Sequence, residues 1–173
     1  MNNVKKIGLG GGCHWCTEAV FQSLKGVLLV EQGFIASTHK SSTFSEAVIV
    51  TFNPEIINLQ MLIEIHLRTH KSTKNESLRV KYRSAIYTFS EEQKTKVNSI
   101  LSTQCGDGFV TLVLSFSAFK SSLEAFTDYY YSNPEKPFCQ TFIDPKLKML
   151  ITDYSANVNQ EKLNHLKIES SSQ

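Results

Sequence analysis

The 173-residue sequence has no apolar run approaching the roughly 20 residues of a membrane span, so nothing in it reads as a transmembrane helix. It has no Lys/Arg run and no basic amphipathic face. With 18 basic against 16 acidic side chains, nothing in the charge favours nucleic acid or a membrane surface as partner. The first residues, Met1-Asn2-Asn3-Val4-Lys5-Lys6, lack the apolar stretch of a signal peptide, and a cytoplasmic, reducing location is the expectation. The four cysteines are then reactive or free thiols, not a disulfide framework. They supply one C-x-x-C and no second pair, which speaks against structural zinc. There is no internal repeat and no linker, so one domain is expected. At 41% hydrophobic and 20% charged residues, the composition is that of a globular protein.

What is present concentrates in Gly10-Gly11-Gly12-Cys13-His14-Trp15-Cys16-Thr17-Glu18. A strand-like run, Lys6-Ile7-Gly8-Leu9, leads into the glycines, and a helical pattern follows through Ala19, Val20 and Leu24. Cys13 thus falls where a strand ends, the backbone turns and a helix starts. The first N–H groups of a helix lack intrahelical partners and carry a partial positive charge. That field favours the thiolate, the nucleophilic form of cysteine. A phosphate cradle is the poorer reading, because no Gly-Lys-Ser/Thr follows and the G-x-G-x-x-G spacing fails. Cys16, three residues on, reads equally as helix packing or redox partner.

Further along, Gly26 ends the first helix. Residues 27–36 read as a strand, 37–43 as a polar loop and 47–52 as a continuous apolar run suited to a central strand. Asn53-Pro54 breaks that strand, and Leu59, Leu62, Ile63, His66 and Leu67 recur at helical spacing. His66 on that stripe reads as core or rim. Residues 82–89 read as a strand, and Ser90-Glu91-Glu92-Gln93 as a capping box opening a helix to about Leu101. Cys105 lies in a turn, 110–116 is a strand, and 121–130 form a last helix with Leu123, Phe126 and Tyr130 on one face. From Asn133 an irregular tail is expected. The result is an α/β chain of two-layer α+β type: a ferredoxin-like mixed sheet with helices packed on it. Its domain spans 1–154, and 155–173 form a polar, partly disordered tail.

Several stretches carry a family resemblance. Gly12-Cys13-His14-Trp15 before Glu18-Ala19-Val20-Phe21 resembles the nucleophile motif of the A-type peptide methionine sulfoxide reductases. Gly33-Phe34, Ser45-Glu46-Ala47-Val48, Tyr82-Arg83-Ser84-Ala85-Ile86-Tyr87, Asn133-Pro134, Pro137-Phe138-Cys139-Gln140 and Pro145-Lys146-Leu147 match in the same order, over roughly residues 7 to 150. The resemblance implies reduction of methionine S-sulfoxide, free or in proteins, by a monomer that thioredoxin or a dithiol regenerates. It makes Cys13 the nucleophile, Glu46 the proton donor and Tyr82 a hydrogen-bond donor to the sulfoxide oxygen. Trp15 becomes the wall that receives the substrate methyl. A thiolate and a carboxylic acid suffice for this chemistry, without a cofactor. Independently, Glu46 is a lone carboxyl directly before an apolar strand, a setting in which burial favours the protonated form.

Departures from the pattern fall on the substrate shell. His14 stands where the family has phenylalanine, which makes half of the methyl pocket polar and titratable. Ser77 falls where an aspartate supports the oxygen-binding tyrosine, and the 37–43 loop lacks a second substrate tyrosine. For resolving the oxidised Cys13, the family resemblance favours Cys139, in a mobile-looking segment, over Cys16, whose i,i+3 helical spacing suits a disulfide poorly. Two other classes stay open: a thiol–disulfide oxidoreductase using Cys13-His14-Trp15-Cys16, and a non-catalytic binder of oxidised methionine.

Overall fold

The computed structural model describes residues 3–70, 81–104 and 111–166. Ser77 and Cys105 lie outside the described residues. Among those described, six strands build one sheet: β1 (Lys5–Gly10), β2 (Val27–Ala36), β3 (Ser45–Phe52), β4 (Ala85–Thr88), β5 (Leu112–Ser115) and β6 (Ala118–Ser121). Their spatial order is β5-β4-β1-β3-β2-β6. The inner four are mutually antiparallel in the order β4-β1-β3-β2. With α1 (His14–Gln22) between β1 and β2 and α2 (Leu59–Thr69) between β3 and β4, this is the β-α-β-β-α-β ferredoxin-like core. Helix α3 (Glu91–Gln104) carries the chain to β5, which joins β4 in parallel and makes the sheet mixed, while β6 joins β2 antiparallel.

Every residue of β3 is buried, as its unbroken apolar run requires of a central strand. Val48, Val50 and Phe52 pack with Ile7 and Leu9 under the helices, and Ala47 and Ile49 pack on the opposite face with Ile35 and Tyr87. The second face is closed by the buried Arg83. Its Nε donates to Tyr87 Oη (2.8 Å), and one terminal nitrogen donates to the Ile35 and Thr43 carbonyls (3.0 and 2.8 Å).

Helix starts follow their sequence signals. Asn58 Oδ1 accepts the Met61 N–H (2.8 Å) to cap α2. Ser90 Oγ accepts the Gln93 N–H, while the Gln93 side chain reaches back to the Phe89 N–H. Other boundaries differ from the sequence reading. Helix α1 stops at Gln22, because Ser23 Oγ donates to the Val20 carbonyl and takes the chain out of the helical pattern. Gly26, at φ +90°, then opens the turn into β2. The helix expected over 121–130 is instead the edge strand β6, a single 3₁₀ turn and a short α4 (Tyr129–Ser132). Asp128 at φ +54° interrupts any continuous helix there.

The irregular stretch expected after Asn133 contains a helix, α5 (Asp144–Asp153), preceded by a π-turn over 139–143. Pro145 suits its first turn, where a missing N–H costs nothing, and Leu147 and Leu150 are fully buried. The described part of the expected polar tail, 155–166, is also packed. Val158 bridges Leu24, the Asn159 N–H donates to the Ser23 carbonyl, and Leu163 and Leu166 enter the core. The domain therefore extends past residue 154. Scattered polar residues conceal apolar anchors spaced too irregularly to read as a helix. Among the described residues no helix is long and apolar enough to cross a membrane.

Candidate active site

The sheet register builds the site. Gly10 at the end of β1 lies opposite Ala47 on β3, so the glycine turn and Glu46 meet at one end of the sheet. The turn takes Gly11 at φ +149° and Gly12 at φ +72°. A Cβ on Gly11 would overlap the His70 ring. Below the turn, His66 Nε2 donates to the Gly10 carbonyl (2.8 Å), so His66 is a buried support, in keeping with its place on the apolar stripe.

Cys13 is the N-cap of α1. Its carbonyl accepts from the Cys16 and Thr17 N–H groups. A hydrogen bond from the Cys16 thiol is the main influence lowering the Cys13 thiol below the ordinary cysteine value. The helix N–H groups of Trp15 and Cys16 add to it, against burial and the charge of Glu46. Cys16 holds its proton far more tightly than usual, because it donates to Cys13 and is buried.

Glu46 is 7% exposed. The backbone N–H of His14 donates to its Oε1 (3.2 Å), which puts the carboxyl at the start of α1 beside Cys13. His14 Nε2 lies 3.3 Å from the same oxygen, and Lys81 Nζ lies 3.8 Å from Oε2. The Lys81 carbonyl accepts the Glu46 N–H (2.8 Å) and Ser45 Oγ (2.9 Å), clamping the segment that carries Tyr82 against β3. Lys81 Nζ is also 5.2 Å from the Tyr82 ring centroid, so one ammonium neighbours both the carboxyl and the tyrosine. His14 is buried, with Nδ1 2.7 Å from the Gly33 carbonyl and its ring edge-on to Phe34. Burial pushes its titration below the ordinary histidine value.

Trp15 stacks on Tyr129, with centroids 4.0 Å apart and planes 8° apart, and meets Phe138 edge-on at 5.5 Å. Beside it opens an apolar cleft of about 460 Å³ bordered by His14, Trp15, Phe34, Leu123 and Phe126. Clefts of similar size, about 420 and 480 Å³, lie by α2–α3 and by Tyr154.

Sequence reasoning missed the site roles of Tyr129, Phe126 and, above all, Glu18. Glu18 is 2% exposed and accepts from Gln32 Nε2 (2.9 Å), the Asp128 N–H (3.0 Å) and the Tyr129 N–H (3.2 Å). It thereby pins the segment that lays Tyr129 on Trp15. The Tyr131 hydroxyl secures the same segment by donating to the Ala19 carbonyl (3.1 Å). Cys139, at the first position of the π-turn, is buried in the same core cluster as Cys16, with Cys13 packed against it.

Against this geometry, the family model described as peptide methionine sulfoxide reductase matches residues 5–159. The chain belongs to that family. It is 32% identical over 163 residues to the peptide methionine sulfoxide reductase MsrA of Sulfolobus acidocaldarius, covering 84% of this chain and 93% of that protein. The corresponding MsrA of Trichodesmium erythraeum is 33% identical over 163 residues, covering 83% of this chain and 92% of its own. Among solved structures, reduced Mxr1 from Saccharomyces cerevisiae superposes with a TM-score of 0.68 at 22% identity, over 80% of this chain and 91% of that one. That likeness bears on the fold, and the identities above carry the family assignment.

Proposed function

We propose that this chain reduces methionine S-sulfoxide, protein-bound or free, with Cys13 as nucleophile and Glu46 as proton donor. One observation carries the reading: a thiol held below its ordinary titration at the N-cap of α1, with a buried carboxyl bound to the next backbone N–H. In the step, Cys13 sulfur gains the oxygen as the methionine S–O bond breaks. Two electrons pass from the cysteine sulfur to the methionine sulfur. One proton from Glu46 ends on the oxygen, leaving a cysteine sulfenic acid and the Glu46 carboxylate. Trp15 and the adjoining apolar cleft receive the methyl end of the substrate, and Tyr82 donates to the sulfoxide oxygen. No cofactor is needed.

Condensation of the sulfenic acid with the Cys139 thiol releases water and leaves a Cys13–Cys139 disulfide; the alternative route is a Cys13–Cys16 bond that then exchanges to Cys139. An external dithiol then restores the thiols. The solved complex of yeast Mxr1 with Trx2 supports thioredoxin in that part. A cytoplasmic monomer is part of this proposal.

Turnover of the separate S and R sulfoxides tests the reading. Activity on the S form only is expected, abolished in Cys13→Ser and reduced about 10²- to 10⁴-fold in Glu46→Gln. Turnover surviving in Cys13→Ser refutes it. Mass spectrometry after one turnover without reductant tests the resolving step. A lasting Cys13–Cys16 bond, with thioredoxin-dependent turnover intact in Cys139→Ser, removes Cys139 from it.

A further inference from the structure

The proton donor has a partner from its own chain. His14 and Glu46 side chains are 8% and 9% exposed, and His14 Nε2 lies 3.3 Å from Glu46 Oε1. The other ring nitrogen decides the tautomer. Nδ1 is 2.7 Å from the Gly33 carbonyl oxygen, which can only accept, so Nδ1 carries a hydrogen whatever the state of the pair. A neutral imidazole therefore leaves an unprotonated Nε2 3.3 Å from Glu46 Oε1. An ionised carboxylate would then hold two acceptor atoms close together in a buried site, at a cost that one proton between them removes.

We infer that His14 and Glu46 form a proton-sharing dyad, in which His14 positions the acid and the transferable proton is held between the two side chains. The inference rests on Glu46 serving as proton donor in the proposed reaction. It follows from a residue this chain has in place of the family's phenylalanine.

Burial disfavours the imidazolium and so favours the proton on the carboxyl side. The thiolate of Cys13, from the glycine turn, favours a protonated dyad. Lys81, from the segment before β4, acts against this, since its ammonium lies 3.8 Å from Glu46 Oε2 and stabilises the ionised carboxylate. Lys120 on β6 borders the same cleft as His14. Lys81 is 67% exposed, so solvent screens its effect. When the dyad gives its proton to the sulfoxide oxygen, the two acceptor atoms are left close together. Proton uptake from water relieves this and resets the acid for the next turnover.

Two measurements test the dyad. Nitrogen-15 NMR of His14 in the wild-type protein is expected to show Nδ1 protonated at neutral pH and a titration altered by Glu46→Gln. An Nε2–H tautomer, or a titration indifferent to Glu46→Gln, overturns the proposal. This arm needs no catalysis, so it decides the dyad even if sulfoxide turnover is absent. The second measurement is the pH profile of kcat in His14→Gln and His14→Phe. Both should lose the alkaline limb about one pH unit or more below wild type, with an approximately tenfold lower rate above it, because groups in contact couple on that scale. Glutamine can bond to Gly33 and Glu46 but cannot hold a titrating proton. An unshifted limb in His14→Gln reduces His14 to simple placement of Glu46 and overturns proton sharing.

Discussion

Replacing Glu18 with alanine removes a 2%-exposed carboxylate and three hydrogen bonds at once, to Gln32 and to the Asp128 and Tyr129 N–H groups. A hydrogen bond to a charged group is worth about 1.5–3 kcal/mol net, and a buried donor left without a partner costs about 1–3 kcal/mol. Burial of the charge offsets part of this, since desolvation raises the Glu18 titration above its ordinary value. The expected loss for Glu18→Ala is about 3 kcal/mol. At this chain length that lowers Tm by roughly 6–12 °C. Glu18→Gln keeps one acceptor oxygen and loses the Oε2 bond to Asp128, an expected cost of about 1 kcal/mol and a fall of roughly 2–4 °C. Trp15 is the only tryptophan, so emission reads the site directly. Because Glu18 anchors the segment that lays Tyr129 on that indole, Glu18→Ala should also change the emission of the folded protein. A Tm within about 2 °C of wild type, with unchanged emission, would refute the anchoring role.

Two further outcomes follow from the geometry. Cys16→Ala should move the pH midpoint of Cys13 alkylation by iodoacetamide upward, since the donor that chiefly lowers it is gone, while Cys16→Ser, keeping a donor, should move it less; peptide mass spectrometry reads Cys13 separately. Leu163→Ala should cost about 2–5 kcal/mol in urea denaturation, because Leu163 is 2% exposed in the core and not part of a loose tail; a loss below about 0.5 kcal/mol would return it to the surface.

The parts of the molecule legible in the sequence are those whose partners are near or whose pattern is strict. β3 reads as a central strand because both of its faces are apolar, and Ser90 announces its helix through the bond it makes locally. Cys13 and Glu46 are visible because each stands at the edge of such a pattern. Glu18 is not, because its partners lie 110 and 111 residues away at Asp128 and Tyr129. His14 is similar: its ring lies against Gly33 and Glu46, 19 and 32 residues distant, so nothing local distinguishes a ligand-facing histidine from one beside the acid. Helix α5 escaped because only Leu147 and Leu150 among its residues are buried, too few to mark a face, although Pro145 offered a start signal.

The antiparallel pairing of β1 with β3 acts as a ruler. Cys13 and Glu46 are each a few residues from the paired Gly10 and Ala47, so main-chain pairing sets their separation before any side chain is chosen. Side chains alternate along a strand, and one residue inserted between Ser45 and Ala47 would turn Glu46 toward the wrong face while leaving composition and core volume almost unchanged. The loop from 37 to 44 lies outside that measured interval and touches the ruler mainly through Thr43 and its bonds to Arg83. Changes of length and changes of identity should thus have opposite maps. The loop tolerates added residues, while the strand ends tolerate substitution at neighbouring positions but not a single added or missing residue.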